Sequence, residues 1–186
     1  MSPIEISLEV WKIIVSALTP IAIAVAGYFI NKAIKTREHE LTVLRSKQDI
    51  RKGIYDDIGP KLNKIFCFIV DVGDFGQYEP PHIRDLKDEI NRKFHTYKML
   101  WQDKTINAYD KFIESSYSEY SGGMGTPGKI RALTAEKKKF FELTGKRWKP
   151  EWDEMFTQPI DKRQMFTIYD GLVEAFIDDM TSGKLI

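Results

Sequence analysis

The sequence has little of what several common classes of protein require. It holds one cysteine, Cys67, in 186 residues, which excludes a framework of disulfide bonds. Its three histidines are not accompanied by cysteines or carboxylates at ligand spacing, so neither a zinc site nor any other cofactor is predicted. The net charge of only +1 argues against a generally basic nucleic-acid binder, and we expect no DNA partner.

Charge is also missing from one long stretch near the N-terminus. No charged residue occurs from Ile13 to Asn31. In a helix with about 1.5 Å rise per residue this run approaches the roughly 30 Å hydrocarbon core of a bilayer. Trp11 and Tyr28 stand near its ends, where amphipathic rings favour the membrane interface. Residues 1–31 are therefore predicted to form a membrane-spanning helix, and a buried core helix is the alternative.

Basic residues follow the uncharged run and predict its orientation. Lys32, Lys35 and Arg37 come first, and residues 32–52 hold seven basic and three acidic residues. The positive-inside rule then places the N-terminus outside and the rest of the chain in the cytoplasm, in a single pass. The lone cysteine suits that reducing compartment. A cleavable signal peptide is disfavoured because residues 1–12 hold two glutamates and one lysine.

Small and polar residues recur within the predicted span at helical spacing. One face carries Ser16, Thr19, Pro20, Ile23, Gly27 and Ile30, and Ala22 and Ala26 lie on an adjacent face. Small residues let membrane helices approach closely, and hydroxyl groups can hydrogen-bond between them. This face predicts packing into a homo-oligomer, whereas a simple anchor that tolerates small residues is the alternative.

The remainder of the chain predicts helices alone. Residues 32–60 read as a juxtamembrane stalk helix, interrupted at Gly53 and ended by Gly59–Pro60. Residues 61–186 read as a cytoplasmic helical bundle. Its predicted helices are 61–72, 83–102, one capped by Asp103, 130–144 and one from Asp161, with a glycine-rich loop at 121–128. The predicted fold class is therefore all-α, with one transmembrane helix, a stalk and a bundle.

One polar cluster has the residue types for RNA chemistry. Asn91 and His95 are four residues apart and share a helix face, and Arg92 is adjacent. A histidine can act as general acid or base in phosphodiester cleavage, provided that a cation stabilises the transition state. A polar cluster without catalytic activity is the alternative.

The same residues carry a resemblance to a known family. The helical HEPN ribonucleases have an arginine followed, after four to six residues, by a histidine, often as R-N-x-x-x-H. This chain reads Ile90-Asn-Arg-Lys-Phe-His95, so Asn91 and His95 match but Ile90 stands at the arginine position. In layout the chain resembles the small membrane accessory proteins of type VI-B CRISPR systems. That resemblance implies a HEPN-like bundle that is not an enzyme.

The resemblance also implies a function and partners. It implies a homo-oligomeric pore in the bacterial inner membrane that enhances antiviral defence by depolarising the membrane. An RNA-guided ribonuclease effector, or its RNA products, is the implied partner. Two alternatives stay open: a membrane-tethered scaffold or sensor without enzymatic activity, and a HEPN-type ribonuclease that uses His95.

Overall fold

Helices account for nearly all of the regular structure. The structure is a computed structural model that describes residues 3–118 and 128–181, without the side chains of residues 3–15, 17, 21 and 22. The helices are α1 (Pro3–Val70), α2 (Pro80–Thr96), α3 (Asp103–Ser116), α4 (Thr134–Leu143) and α5 (Lys162–Thr181). Short 3-10 turns occur at Phe75–Gln77, Lys98–Leu100 and Pro150–Met155. Over these described ranges the predicted all-α class is confirmed.

The chain divides into two units, Met1–Ser46 and Lys47–Ile186. In the described part of the first unit only α1 is present. No helix is long and apolar enough to cross a membrane when the described residues alone are considered. The predicted span from Ile13 to Asn31 includes six residues whose side chains lie outside that description.

The predicted interruption of α1 is wrong. The helix continues through Gly53 and Gly59–Pro60 to Val70. A proline inside a helix removes one hydrogen bond and crowds the preceding turn. Here buried side chains recur on both sides of Pro60, and their packing outweighs that local penalty; they are Ile54, Ile58, Leu62 and Ile65. Residues 47–60 therefore belong to the same compact unit as the rest of the bundle.

The core of the second unit is formed by one face of each long helix. Helix α2 buries Ile83, Leu86, Ile90 and Phe94, and α5 buries Met165, Ile168, Leu172 and Phe176. These residues recur every three or four positions, as expected of amphipathic helices. Helix α2 ends at Thr96 rather than at residue 102, because the chain turns into a 3-10 helix there.

Three chain segments meet in backbone bridges beside the helices. Ile130 pairs with Tyr117 in the antiparallel sense and with Phe156 in the parallel sense. The amide of Ser118 donates to the carbonyl of Lys129 at 2.8 Å, and that of Thr157 donates to Ile130 at 3.0 Å. Because residue 130 is extended in this pairing, α4 begins at Thr134 and not at residue 130 as predicted.

Candidate functional site

The predicted pore and interface residues all lie in α1. Most of them are exposed in the single chain, namely Ser16, Thr19, Pro20, Ile23, Ala26, Gly27, Tyr28, Ile30, Lys32, Lys35 and Arg37. The side chains of Trp11 and Ala22 lie outside the described residues. A Cβ atom built on Gly27 has no heavy atom within 4 Å. Within the first unit, the described residues therefore leave this face of α1 uncovered.

Large apolar side chains surround this part of α1 on several sides. At about 100° per residue, Leu18, Val25 and Phe29 point one way, whereas Ile23 and Ile30 point another. Each is more than half exposed, from 51% for Val25 to 66% for Ile23. A helix that is apolar on all sides is typical of a membrane span or of the core of a large assembly.

The polar cluster of the second unit lies where α2 packs against α3. Tyr109 of α3 is buried, and its hydroxyl donates to Oδ1 of Asn91 at 2.5 Å. Burial raises the pKa of Tyr109 far above its ordinary value. The ring of His95 stands edge-on to the ring of Tyr109, with 6.1 Å between their centroids. The structure therefore brings Asn91 and His95 together around one tyrosine, and His95 stays exposed.

The HEPN-like cluster has no arginine at the motif position, and its one arginine lines a separate hollow. Ile90, at the arginine position of the HEPN motif, is fully buried in the core. Arg92 instead lines a shallow hollow of about 330 Å³ between α1 and α2, and His95 is not among its lining residues. Asn91 and His95 thus contact Tyr109, whereas Arg92, three residues before His95 on the same helix, lines the hollow.

Sequence reasoning did not find the ion pairs beside Arg92. Asp57 of α1 pairs with Lys61 at 3.0 Å and with Lys93 of α2 at 2.5 Å. Hydrogen bonds from Lys93 and Lys61 lower the pKa of Asp57, and the bond to Asp57 raises the pKa of Lys61. Lys61 also reaches Glu89 at 3.2 Å. Only the spacing of four residues between Asp57 and Lys61 could have signalled this network.

Cys67 has the surroundings of a packing residue. It is buried, and its Sγ lies 3.8 Å from Oδ1 of Asn63 in the preceding turn. Burial raises the pKa of the thiol, which disfavours the reactive thiolate. Among the residues that the structure describes, no group of three or more histidines, cysteines or carboxylates could hold a metal ion.

Comparison with known proteins finds no matching family model, no matching curated protein and no matching solved structure. The function has to be inferred from the residues of this chain.

Proposed function

We propose that the chain is a membrane-anchored homo-oligomer that forms a pore and acts as an accessory effector of an RNA-targeting CRISPR defence system. The observation that carries this proposal is the uncovered apolar surface of α1 between Leu18 and Ile30. Removing such a side chain from water is favourable by about 1.5–3 kcal/mol when burial is complete. A bilayer together with neighbouring copies of the helix would supply that burial on every side.

Several copies are needed for a pore because one helix cannot enclose a water path. The face with Ser16, Thr19 and Gly27 would turn toward the lumen or toward neighbouring helices, where small residues permit close approach. Ile23 and Ile30 share that face and would form an apolar constriction that closes the pore by excluding water. The opposite side of the helix, with Val25 and Phe29, would then contact lipid.

The orientation follows from the charges that flank the uncharged run. Lys32, Lys35 and Arg37 are exposed on α1 and would stay on the cytoplasmic side. The compact unit from Lys47 onward would then be cytoplasmic. The chain would cross the bacterial inner membrane once, with its N-terminus outside.

The link to CRISPR defence is supported by the layout of the chain and by the HEPN-like positions of Asn91 and His95. In this proposal the pore opens when the RNA-guided ribonuclease partner or its RNA products signal infection. Depolarisation of the inner membrane then limits phage replication. The chain itself is proposed to cleave no RNA, because no arginine stands at position 90.

Two measurements on the intact chain test the proposal. The first is its mass in detergent, where we expect a ring-like oligomer of defined copy number. The second is the potential of the inner membrane, reported by a voltage-sensitive dye in cells in which the RNA-targeting effector is triggered. We expect depolarisation only when the chain and the triggered effector are both present. A strictly monomeric chain, with an intact potential under triggering conditions, would refute the proposal.

A membrane-tethered sensor is the second candidate, and the hollow beside Arg92 favours it. A sensor needs a recognition surface on the second unit but no lumen in α1. Changes that break the oligomer would then leave partner binding intact, whereas changes at Arg92 would not. Measuring oligomerisation and partner binding in one variant that breaks the oligomer and in one variant of Arg92 separates the two candidate functions.

A further inference from the structure

A shallow hollow on the second unit combines positive charge with an exposed aromatic ring. It lies between α1 and α2 and is lined by Lys61, Glu89, Arg92, Lys93, Thr96 and Tyr97. Its volume of about 330 Å³ lies at the lower end of the range for small-molecule sites. It is therefore large enough for a ligand of nucleotide size.

The cations of the hollow are not fully neutralised by the chain. Lys61 and Lys93 share the carboxylate of Asp57, and Lys61 also reaches Glu89. The carbonyl of Arg92 accepts from the hydroxyl of Thr96 at 2.7 Å, but its guanidinium forms no hydrogen bond or ion pair with any residue that the structure describes. Three cations thus face two carboxylates, and the unpaired one is a guanidinium, whose planar geometry suits bidentate contact with phosphate.

Two carbonyl groups in the last turn of α2 are occupied by a hydrogen bond within the chain. The amide of Tyr97 donates to the carbonyl oxygens of Lys93 and Phe94 at 3.3 and 3.2 Å. These two carbonyl groups at the helix C-terminus are therefore already satisfied. A phosphate in the hollow is therefore not opposed by free acceptors of these two groups, and the cations have to outweigh the remaining negative end of the helix.

The aromatic ring adds a second recognition element. Tyr97 is 40% exposed. It lines the hollow one turn along the chain from Lys93 and five residues from Arg92. A flat heterocyclic base can stack on such a ring, and this contact is tolerant of base identity.

We propose that this hollow binds a nucleoside monophosphate, or the terminal nucleotide of an RNA, through its phosphate and its base. Arg92 contacts the phosphate, Lys93 exchanges part of its contact with Asp57 for the same phosphate, and Tyr97 stacks on the base. Nucleotide binding requires neither the pore nor the membrane potential. It can therefore be absent while the proposed pore function is correct, and it can be present while that function is wrong.

The experiment measures binding of adenosine 5′-monophosphate to the intact chain in detergent, by calorimetry at low salt. Adenosine and inorganic phosphate are titrated separately. We expect the nucleotide to bind at least about tenfold more tightly than either part alone, because only the nucleotide uses both recognition elements. Equal affinity for the nucleotide and for one of its parts overturns the proposal, as does the absence of nucleotide binding.

Variants assign the contacts. We expect Arg92→Gln to weaken nucleotide binding about tenfold or more, and Tyr97→Ser to weaken it about fivefold or more while Tyr97→Phe retains it.

Asp57→Asn should strengthen binding, by up to about fivefold, because it releases Lys61 and Lys93. Arg84→Gln is the matched control, since Arg84 is on α2 but does not line the hollow. Equal losses in Arg92→Gln and Arg84→Gln, or unchanged binding in Arg92→Gln, overturn the assignment.

Discussion

Lys137 of α4 forms an ion pair with Asp71 at the end of α1, and the side chain of Lys137 has no solvent exposure. Its ammonium group also lies over the rings of Phe68 and Phe75, 4.8 and 4.9 Å from their centroids. Lys162 of α5 reaches the other carboxylate oxygen of Asp71 at 2.8 Å. One carboxylate therefore connects the end of α1 with the N-terminal parts of α4 and α5.

This arrangement predicts unequal effects for its two partners. Asp71→Asn leaves a fully buried ammonium group without its counter-charge, and we expect the free energy of unfolding to fall by about 3–5 kcal/mol. Lys137→Met should be less damaging because Asp71 keeps Lys162, and the methionine side chain can pack against the two phenylalanine rings. Urea denaturation measures both. Lys138→Met is the control, because its pair with Asp153 is exposed and should contribute at most about 1 kcal/mol. Equal losses in all three variants would contradict this assignment.

The pH dependence of stability follows from the same carboxylate. Burial alone raises the pKa of Asp71, but hydrogen bonding with its neighbours more than offsets this, so that the pKa lies below the ordinary 3.8. The unfolded chain then binds the proton more readily, so the stabilisation is present above the ordinary pKa and is lost as the pH falls through the folded-state pKa. We expect the free energy of unfolding to decrease below about pH 4, with a shallower slope in Asp71→Asn. An identical slope in the variant would show that other carboxylates are responsible.

The structure leaves no room for a side chain at Gly76 unless its neighbours move. A Cβ atom built there would lie 1.7 Å from Cε1 of Phe140, so the ring or the turn must move. We expect Gly76→Ala to lower the free energy of unfolding by about 1–3 kcal/mol. Gly53→Ala is the matched control, because Gly53 lies in α1 with nothing within 4 Å of its Cβ position. It should instead stabilise the chain by about 0.5–1 kcal/mol through helix propensity. In thermal unfolding, the midpoint temperature should fall in Gly76→Ala and rise in Gly53→Ala.

Gly27→Leu tests whether copies of α1 meet through their small residues. Among the described residues, no atom outside the local helix backbone lies within 4 Å of the Cβ position of Gly27, so a leucine there has room within the single chain. We expect a smaller or unstable oligomer in detergent and a loss of depolarisation, because the leucine prevents close helix contact. Val25→Leu is the control on the proposed lipid-facing side. If Gly27→Leu and Ala22→Leu both assemble normally, the interface lies elsewhere in the chain.

His95 separates the proposed pore from the ribonuclease alternative. The side chain is exposed on α2, so His95→Ala should change the free energy of unfolding by at most about 0.5 kcal/mol. We expect the unmodified chain to leave RNA intact and His95→Ala to depolarise the membrane normally. RNA cleavage by the purified chain that disappears in His95→Ala would favour the ribonuclease instead.

Periodicity of apolar residues was enough to predict the helical core. The spacing of apolar residues predicted helices here, and Ile83, Leu86, Ile90 and Phe94 of α2 are buried. In α5 the same spacing correctly predicted Met165, Leu172 and Phe176 as buried, but Phe166 and Ile177 are 42% and 47% exposed. It failed at Gly59–Pro60, where local breaking signals were outweighed by core contacts on both sides. Such contacts involve residues distant in sequence. A prediction from neighbouring residues alone therefore cannot compare their stabilisation with the cost of a proline inside the helix.

The burial of charged residues could not be predicted from the sequence pattern. Arg51 is 2% exposed, and its guanidinium donates to the carbonyl oxygens of Leu100 and Asp179, both at 2.6 Å. In the sequence it is one more basic residue after the uncharged run. Its partners lie 49 and 128 residues away in the sequence. Only the fold therefore shows that Arg51 connects α1 to the segments that contain Leu100 and Asp179. The residues of the hollow beside Arg92 are likewise brought together only by the packing of α1 against α2.

The backbone pairing between Tyr117 and Ile130 determines where the chain can be lengthened. The amide of Lys129 donates to the hydroxyl of Ser118 at 2.9 Å, and a Cβ atom on Gly128 would lie 2.7 Å from the carbonyl oxygen of Ser118. The two ends of the intervening segment are therefore fixed next to each other by contacts that do not involve the segment itself. Doubling its length would add only about 0.6 kcal/mol of closure entropy. An epitope or a fluorescent label inserted between residues 118 and 128 would thus enter the chain between two ends that this pairing holds together, and we expect Ile130 to keep its pairing with Tyr117 and Phe156.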